Sequence, residues 1–314
     1  MIRWGLTRQN RQRFRCTFCE VSSIKKRPDQ ASRRVEVLFE RWLLQTETLD
    51  RLATHRNTKP PVLIRLFEQF WSKEVTPLPY QGNGICIIVD GLSVGRGYCI
   101  LIAIDSDGIP VTWYGCTKEN TVTWEALFKQ VQGQGVTTPS LIVSDGQKGL
   151  LKAITATFPN ASQQRCMTHV VRLAHAWLTR FPQTIAGREL RTIVGALYSV
   201  TTQEGAENWN KVFNHWCTIH HDFLKERSVS IETGKKWYTH RKLRAVRSLV
   251  VGAQRELFTF LTVPNTPKTT NDVEGGLNSP MKALLRHHRG MSPHHREVLV
   301  FRFLRKRQIR KYQH

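Results

Sequence analysis

Apolar positions along this chain change their spacing several times, and each change marks a change of element. "RRVEVLFERWLL" brings Val35, Leu38, Phe39, Trp42 and Leu43 to one face at helical spacing. "TLDRLATH" continues as a short amphipathic turn of helix. "NTKPPVLIRLFEQFW" offers Thr58 as N-cap, prolines where a helix begins, and Leu63, Leu66, Phe67 and Phe70 as an inward face. Three short helices with a tight turn between the second and third suit a helix-turn-helix over residues 29–75, and an ordinary three-helix packing unit is the alternative.

A linker with two prolines follows, "SKEVTPLPYQGN", and then the period shortens. "GICIIVDG", "GYCILIAID" and "PVTWYGC" predict three strands, punctuated by "LSVGR" and "SDG". "TVTWEALFKQVQ" predicts a helix capped by Thr121 or Thr123. "SLIVSDG" predicts a fourth, continuously apolar strand, "QKGLLKAITATF" a second helix, and "SQQRC" a short fifth strand. Together these describe a mixed α/β sheet over 82–166. From 167 to 262 the pattern is wholly helical, with tryptophans at 177, 209, 216 and 237. After Pro264 and Pro267 the stretch 263–314 is helical again and strongly basic.

Charge narrows the class of partner. Lys and Arg number 47 against 24 Asp and Glu, giving +23, and they are spread over the whole chain. A field of that size calls for a polyanion, and nucleic acid is the commonest one inside a cell. An anionic membrane surface would need a basic amphipathic anchor helix, and none is evident. No apolar run reaches the roughly 18 residues that cross a bilayer. The N-terminus has no apolar segment of the secretory kind, so the expected location is the cytoplasm. On the predicted helix-turn-helix, Lys59 and Arg65 are candidates for phosphate or groove contacts. The seven cysteines are odd in number and irregular in spacing, a reduced pattern without a disulfide framework. Cys86, Cys99 and Cys116 fall in apolar runs as small hydrophobes, whereas Cys16 and Cys19 form one Cys-x-x-Cys, half of a four-ligand zinc site or a plain surface turn.

Two acids stand out against this basic background. Asp90 and Asp145 each close an apolar strand run and precede a glycine, in "IIVDG" and "LIVSDG". Functional groups gather beyond the carboxyl ends of strands in open α/β sheets. If the two strands are parallel neighbours, both acids leave the same sheet edge, and like charges that close repel unless a cation sits between them. Oxygen ligands without thiols or imidazoles suit Mg²⁺ or Mn²⁺. Glu274, in "TTNDVEGGLNSPMKALLRHHRG", is the third acid expected from a later helix, with Asp272 turned to another face and Gly275 and Gly276 open to close backbone approach. Each acid alone has a plain alternative, a turn. Asp105 and Asp107 in "IDSDGIP" are read as a hairpin turn and set aside.

Taken together, the three segments resemble a known family. The order Asp90, Asp145, Glu274 resembles the catalytic triad of DDE transposases, and more narrowly the bacterial insertion-sequence transposases of the IS256 and Mutator-like superfamily. "IIVDGLSV" resembles its first-Asp block, "LIVSDGQKGLLKAITATFPNASQQRCMTHVVRLAH" its second-Asp block, and "TTNDVEGGLNSPMKALLRHHRGMS" its glutamate block. The resemblance implies an RNase H-like core in two parts, 82–166 and 263–314, interrupted by an all-helical insertion over 167–262. The spacing agrees, because 55 residues separate the aspartates and 129 separate Asp145 from Glu274. It also implies two Mg²⁺ (or Mn²⁺) ions about 3.5–4 Å apart, held by Asp90, Asp145 and Glu274. The implied activity is cleavage and strand transfer at terminal inverted repeats, on double-stranded DNA, by a homo-oligomer associated with the nucleoid.

Further roles come from the same resemblance. Cys166 and His169 match the Cys-x-x-His that follows the fifth strand, and are read as supporting the site rather than binding a metal. Lys282 and Arg289 are candidates for gripping phosphate, or else plain solvated charges. Residues 1–28, with "RQRFRCTFCE", look like the second knuckle of a zinc ribbon, so that Zn²⁺ at Cys16 and Cys19 would need two further ligands. Trp209, Trp216 and Trp237 are either stacking platforms for an unpaired base or core aromatics of a helical bundle. Two other functions fit the same residues: a truncated or domesticated copy that binds DNA without cutting it, and a nuclease of the same fold.

Overall fold

The strands and helices follow from the alternation of period, and a computed structural model describes them over residues 1–24, 28–45, 47–263, 266–270 and 273–313. The chain divides into two compact units, Met1–Val75 with Leu284–Leu299, and Thr76–Ala283 with Val300–His314. The C-terminal stretch 263–314 is thus shared between them.

In the first unit, β1 (Ile2–Leu6), β2 (Gln12–Arg15) and β3 (Ser22–Ile24) form an antiparallel meander. Three helices follow: α1 (Pro28–Leu44), α2 (Leu49–His55) and α3 (Pro60–Trp71). Phe39, Leu43, Leu63, Phe67 and Phe70 are buried, and the Phe39 ring meets Phe67 edge-on at 5.3 Å and Trp71 at 4.8 Å. Two expectations fail here. Leu66 is 41% exposed, because Leu63, Phe67 and Phe70 already fill the i, i+4, i+7 stripe. The cap of α3 is Lys59, not Thr58, since the Pro60–Pro61 pair begins the helix and forces the preceding residue to extend.

The second unit is built on a five-stranded mixed sheet in the order β6-β5-β4-β7-β8. β4 (Cys86–Gly95), β5 (Tyr98–Asp105) and β6 (Pro110–Cys116) are antiparallel neighbours. After α4 (Thr121–Gly133), β7 (Leu141–Ser144) pairs parallel to β4, and after α5 (Lys148–Thr157), β8 (Ser162–Arg165) pairs parallel to β7. The five strands thus join in one mixed α/β sheet, as expected. β4, however, runs past Asp90 to Gly95 instead of stopping at it. "LSVG" is strand and not a turn, because Leu92 and Val94 alternate inward and are buried.

The odd positions of β4, Ile87 and Val89, pack with Ile142 against Trp124, Leu127 and Phe128 of α4 and Leu150 and Ile154 of α5. α4 is capped by Asn120, whose side chain accepts the Thr123 N–H at 3.0 Å while the Thr123 hydroxyl accepts the Asn120 N–H at 3.0 Å. Thr123 therefore completes a capping box and does not serve as the cap itself. Trp124 is 1% exposed, and its indole N–H donates to Gln147 Oε1 at 3.3 Å.

Beyond β8 come α6 (Met167–Leu178), α7 (Ile185–Gly195), α8 (Gln203–Ile219), the hairpin β9 (Arg227–Val229) and β10 (Lys236–Tyr238), and α9 (Arg241–Ala253). The hairpin corrects the expectation of an all-helical stretch. Its turn is closed by Gly234, which takes φ of +64° and donates its N–H to Ser230 O at 2.9 Å. Trp209 and Trp216 are buried in the core of these helices, where their indole N–H groups donate to Ile193 O at 2.7 Å and Ala186 O at 3.1 Å. They are core aromatics, while Trp237 on β10 is half-buried. A π-helical turn at Glu274–Asn278 leads into α10 (Ser279–His287), and α11 (Pro293–Tyr312) ends the described chain.

Trp124 links this core to the loop after β7. Trp124→Ala is expected to lower unfolding stability by about 3–5 kcal/mol, read by chemical denaturation.

Candidate active site

The parallel pairing of β4 and β7 determines where the two aspartates stand. Ile88 pairs with Val143, and continuing that register by two residues sets Asp145 level with Asp90. Asp90 is buried within β4, and Asp145 follows the last residue of β7. Along β4 and β7 no carboxylate precedes this level, since Cys86–Val89 and Leu141–Ser144 carry none.

The loop carrying Asp145 is held from three sides. Asp145 Oδ1 accepts the Gln147 N–H at 2.9 Å, which turns the chain into α5. Gly146 takes φ of +79°, a left-handed conformation, and the Arg165 guanidinium fills the space a side chain would occupy. Arg165 Nη1 also donates to the Asp145 carbonyl at 3.4 Å. A buried cation thus lies against the Asp145 loop. Its own neighbour Glu256 is raised above the usual carboxylate range by burial, which the Arg165 charge offsets only in part.

Two clasps bring the segment around Glu274 to the same sheet edge. The first is at Cys166, which caps α6 and is fully buried. Its N–H donates to Ser144 O at 2.8 Å, its sulfur accepts the Thr270 N–H at 3.3 Å, and the Thr270 hydroxyl lies 3.3 Å from the same sulfur. Burial pushes the Cys166 thiol up, but hydrogen bonds from His169 and Thr270 outweigh it and hold the thiol below its ordinary range. Cys166 and His169 therefore tie the strand end before Asp145 to the chain four residues ahead of Glu274. The second clasp is Asn278, 4% exposed, whose Nδ2 donates to Asp90 Oδ2 at 2.6 Å. Val273 and Leu277 are buried between the two clasps. The backbone of Glu274 opens the π-helical turn that ends at Asn278, a distortion that recurs at functional sites. The Glu274 side chain, and Asp272 as a whole, lie outside the described residues.

Two residues of this edge were not read from the sequence. Asn278 is one, and its only signal was its place one turn after Glu274. Glu119 is the other. It precedes the α4 cap, its carboxylate lies over Gly91, and burial followed by the charge of Asp145 raises it above the usual carboxylate range. Nothing in "CTKEN" marks it as more than a helix-start acid.

Asp90 and Asp145 carry oxygen donors, the kind a hard divalent cation takes, and the buried Asn278 Oδ1 meets no hydrogen-bond donor. Among the described residues no three His, Cys, Asp or Glu side chains close around one point. That holds for Cys16 and Cys19 too, which sit in the turn between β2 and β3. There the Cys16 sulfur accepts the N–H groups of Cys19 and Phe18, which bring its thiol down to about 7. Lys59, Arg65 and Lys282 are exposed, as is Arg289, which belongs to the first unit. No described helix is long and apolar enough to cross a membrane.

Part of the chain is similar to known transposases. Residues 84–226 match the Mutator family of transposases. The transposase for insertion sequence element IS905 of Lactococcus lactis is 33% identical over 91 residues, covering 29% of this chain and 23% of its own length. A probable transposase for an insertion sequence element of Corynebacterium diphtheriae is 32% identical over 111 residues, 33% of this chain and 32% of its own length. The transposase for IS256 in transposon Tn4001 of Staphylococcus aureus is 39% identical over 54 residues, 17% of this chain and 14% of its own length. The chain thus aligns with a third or less of each of these relatives.

Two outcomes are expected from this geometry. Gly146→Ala should cost about 2 kcal/mol or more of unfolding stability, because it combines a left-handed backbone with displacement of Arg165, and urea denaturation reads it. Alkylation of the native chain by iodoacetamide should reach half its maximal rate at Cys16 near pH 7. Cys86 and Cys99, pushed up by burial to about 12, should stay unlabelled at that pH.

Proposed function

We propose that this chain, whose residues 84–226 match the Mutator family of transposases, is a DDE transposase that cuts and joins DNA at the terminal inverted repeats of an insertion sequence. The observation that carries the reading is the double clasp. Cys166 on Thr270 and Asn278 on Asp90 hold the Glu274 turn against the edge where Asp90 and Asp145 stand level. In this reading the mixed sheet is an RNase H-like core, 82–166 with 263–314, interrupted by the region 167–262, and α1–α3 form a helix-turn-helix.

Asp90, Asp145 and Glu274 would hold Mg²⁺ or Mn²⁺, two ions in all. Bound there, such a cation supplies positive charge to a phosphodiester as negative charge builds on its oxygens. The chain's own residues do the rest. Asn278 fixes the rotamer of Asp90, the Gln147 N–H fixes that of Asp145, and Cys166 with His169 keeps the glutamate segment from swinging away. Water attacks the phosphorus in line at the end of the element, and the 3′-oxygen departs with a proton as a hydroxyl. That hydroxyl then attacks a phosphodiester of the target DNA, losing its proton as it forms the new oxygen–phosphorus bond, while the target strand's own 3′-oxygen departs and takes up a proton as a hydroxyl. No side chain becomes bonded to DNA.

The net charge of +23 supports a polyanionic substrate. Lys59, Arg65, Lys282 and Arg289 are the exposed cations assigned to phosphate contact. Bringing two ends of an element together calls for at least two copies of the chain, so the working form is a homo-oligomer on DNA. A Cys16–Cys19 zinc site would draw its two remaining ligands from elsewhere.

The test mixes the purified chain with labelled repeat-end duplex and Mg²⁺. Asp145→Asn should reduce cleavage by at least about a hundredfold while leaving duplex affinity within about twofold. Cleavage that survives the substitution removes Asp145 from the chemistry. Tight binding by the wild type without any cleavage would make the chain a non-catalytic DNA-binding copy, and cleavage without joining a nuclease.

A further inference from the structure

The helical region carries a cavity that has no part in the Asp90–Asp145 edge. Its volume is about 420 Å³, and it lies among the end of α6, the loop 179–184 and the starts of α7 and α9. Trp177, Phe181, Thr184, His240, Arg241 and Lys242 line it, and no lining residue is an acid. Phe181 is 72% exposed, with the Arg180 guanidinium 5.3 Å from its ring. The β9–β10 hairpin leads directly into the wall at Thr239, so that Lys235, Lys236, Arg241 and Lys242 give four exposed cations within residues 235–242.

The walls are fixed without a ligand. Thr179 takes φ of +65°, which a β-branched residue avoids, and Arg191 Nη1 holds it there by donating to its carbonyl at 2.8 Å. The His240 ring stacks on Phe223 at 3.7 Å, and its Nε2 lies 2.9 Å from Glu226 Oε2. Glu189 is likewise taken, by His220 at 2.6 Å, so the acids of this region are engaged by histidines and leave Arg241 and Lys242 to solvent. A single exposed ring or surface cation is ordinary. Rings and cations gathered at one preformed hollow match a ligand that is itself a flat ring joined to negative charge. A nucleotide has that chemistry, and its base face is free for stacking only when it is out of the duplex.

We propose that this cavity holds one unpaired nucleotide of a DNA strand, its base against Trp177 and Phe181 and the neighbouring phosphates on Arg241, Lys242, Lys235 and Lys236. The proposal rests on DNA being the substrate, and adds a contact outside the Asp90–Asp145 edge for a strand whose bases are no longer paired. Stacking on a ring does not distinguish one base from another, so the site takes any of the four. A paired duplex would meet the cations and leave the cavity empty. That difference separates a strand site from a plain backbone contact.

The full chain is titrated without divalent metal against a labelled mixed-sequence single strand and against the same sequence as duplex. Phe181→Ala, at an exposed position that leaves the fold intact, should weaken single-strand binding about fivefold or more and change duplex binding by less than about twofold. Arg241→Ala with Lys242→Ala should weaken single-strand binding and lower its salt slope by about 1.4. Lys129→Ala with Lys152→Ala removes the same charge from α4 and α5 and should leave single-strand affinity within about twofold. Wild-type single-strand affinity in Phe181→Ala, equal losses for strand and duplex, or a control loss matching that of Arg241→Ala with Lys242→Ala overturns the proposal. So does a wild type that binds duplex but no single strand. In each of these cases cleavage of repeat-end duplex with Mg²⁺ still tests the Asp90–Asp145 edge separately, whereas a wild type that binds neither strand nor duplex overturns both.

Discussion

Parallel pairing between β4 and β7 is the constraint on which the rest depends. Ile88 on Val143 sets a register that a slip of one residue would ruin, since the side-chain period of a strand is two. In this register the last β4–β7 pair is Ile88 with Val143, and Asp90 and Asp145 each follow two residues later, Asp90 within β4 and Asp145 in the loop after β7. Side-chain and backbone contacts then hold this edge: Arg165 against the Asp145 loop, Asn278 on Asp90, and the Gln147 N–H on Asp145.

The connection between the two halves of the core has a matching logic. A long helical region separates Asp145 from Glu274, and loop closure over such a span would leave the glutamate segment loose without fixed anchors. The Cys-x-x-His at the start of α6 supplies one. A thiol is a weak acceptor in water, but buried at a helix cap it holds the N–H of Thr270, and its sulfur shares a second hydrogen bond with the Thr270 hydroxyl. Asn278 supplies the other anchor from beyond the glutamate. The segment is thereby clamped at both ends by interactions within one sheet edge.

Much of this was legible along the chain because it depends on periodicity. Four of the five strand runs, α4, α5 and the three N-terminal helices were readable from apolar spacing, and Cys86, Cys99 and Cys116 from their apolar surroundings, since burial follows the pattern of neighbours. The misreadings share a cause. β4 passing through Asp90, Asn120 capping α4, Lys59 capping α3 and the β9–β10 hairpin all sit at ends or interruptions of elements. There single hydrogen bonds and φ angles decide the outcome, and periodicity carries no information about them.

By itself, then, the amino-acid order determined where most strands and helices lie and that the chain carries a large positive charge. Those properties are local sums over neighbouring residues. Only the tertiary structure decided that Glu119 lies over Gly91, that Arg165 closes on Gly146, and that Asn278 reaches Asp90 across 188 positions of sequence. Each of these depends on where a backbone passes relative to a distant one, and that is determined by the packing of all the elements together.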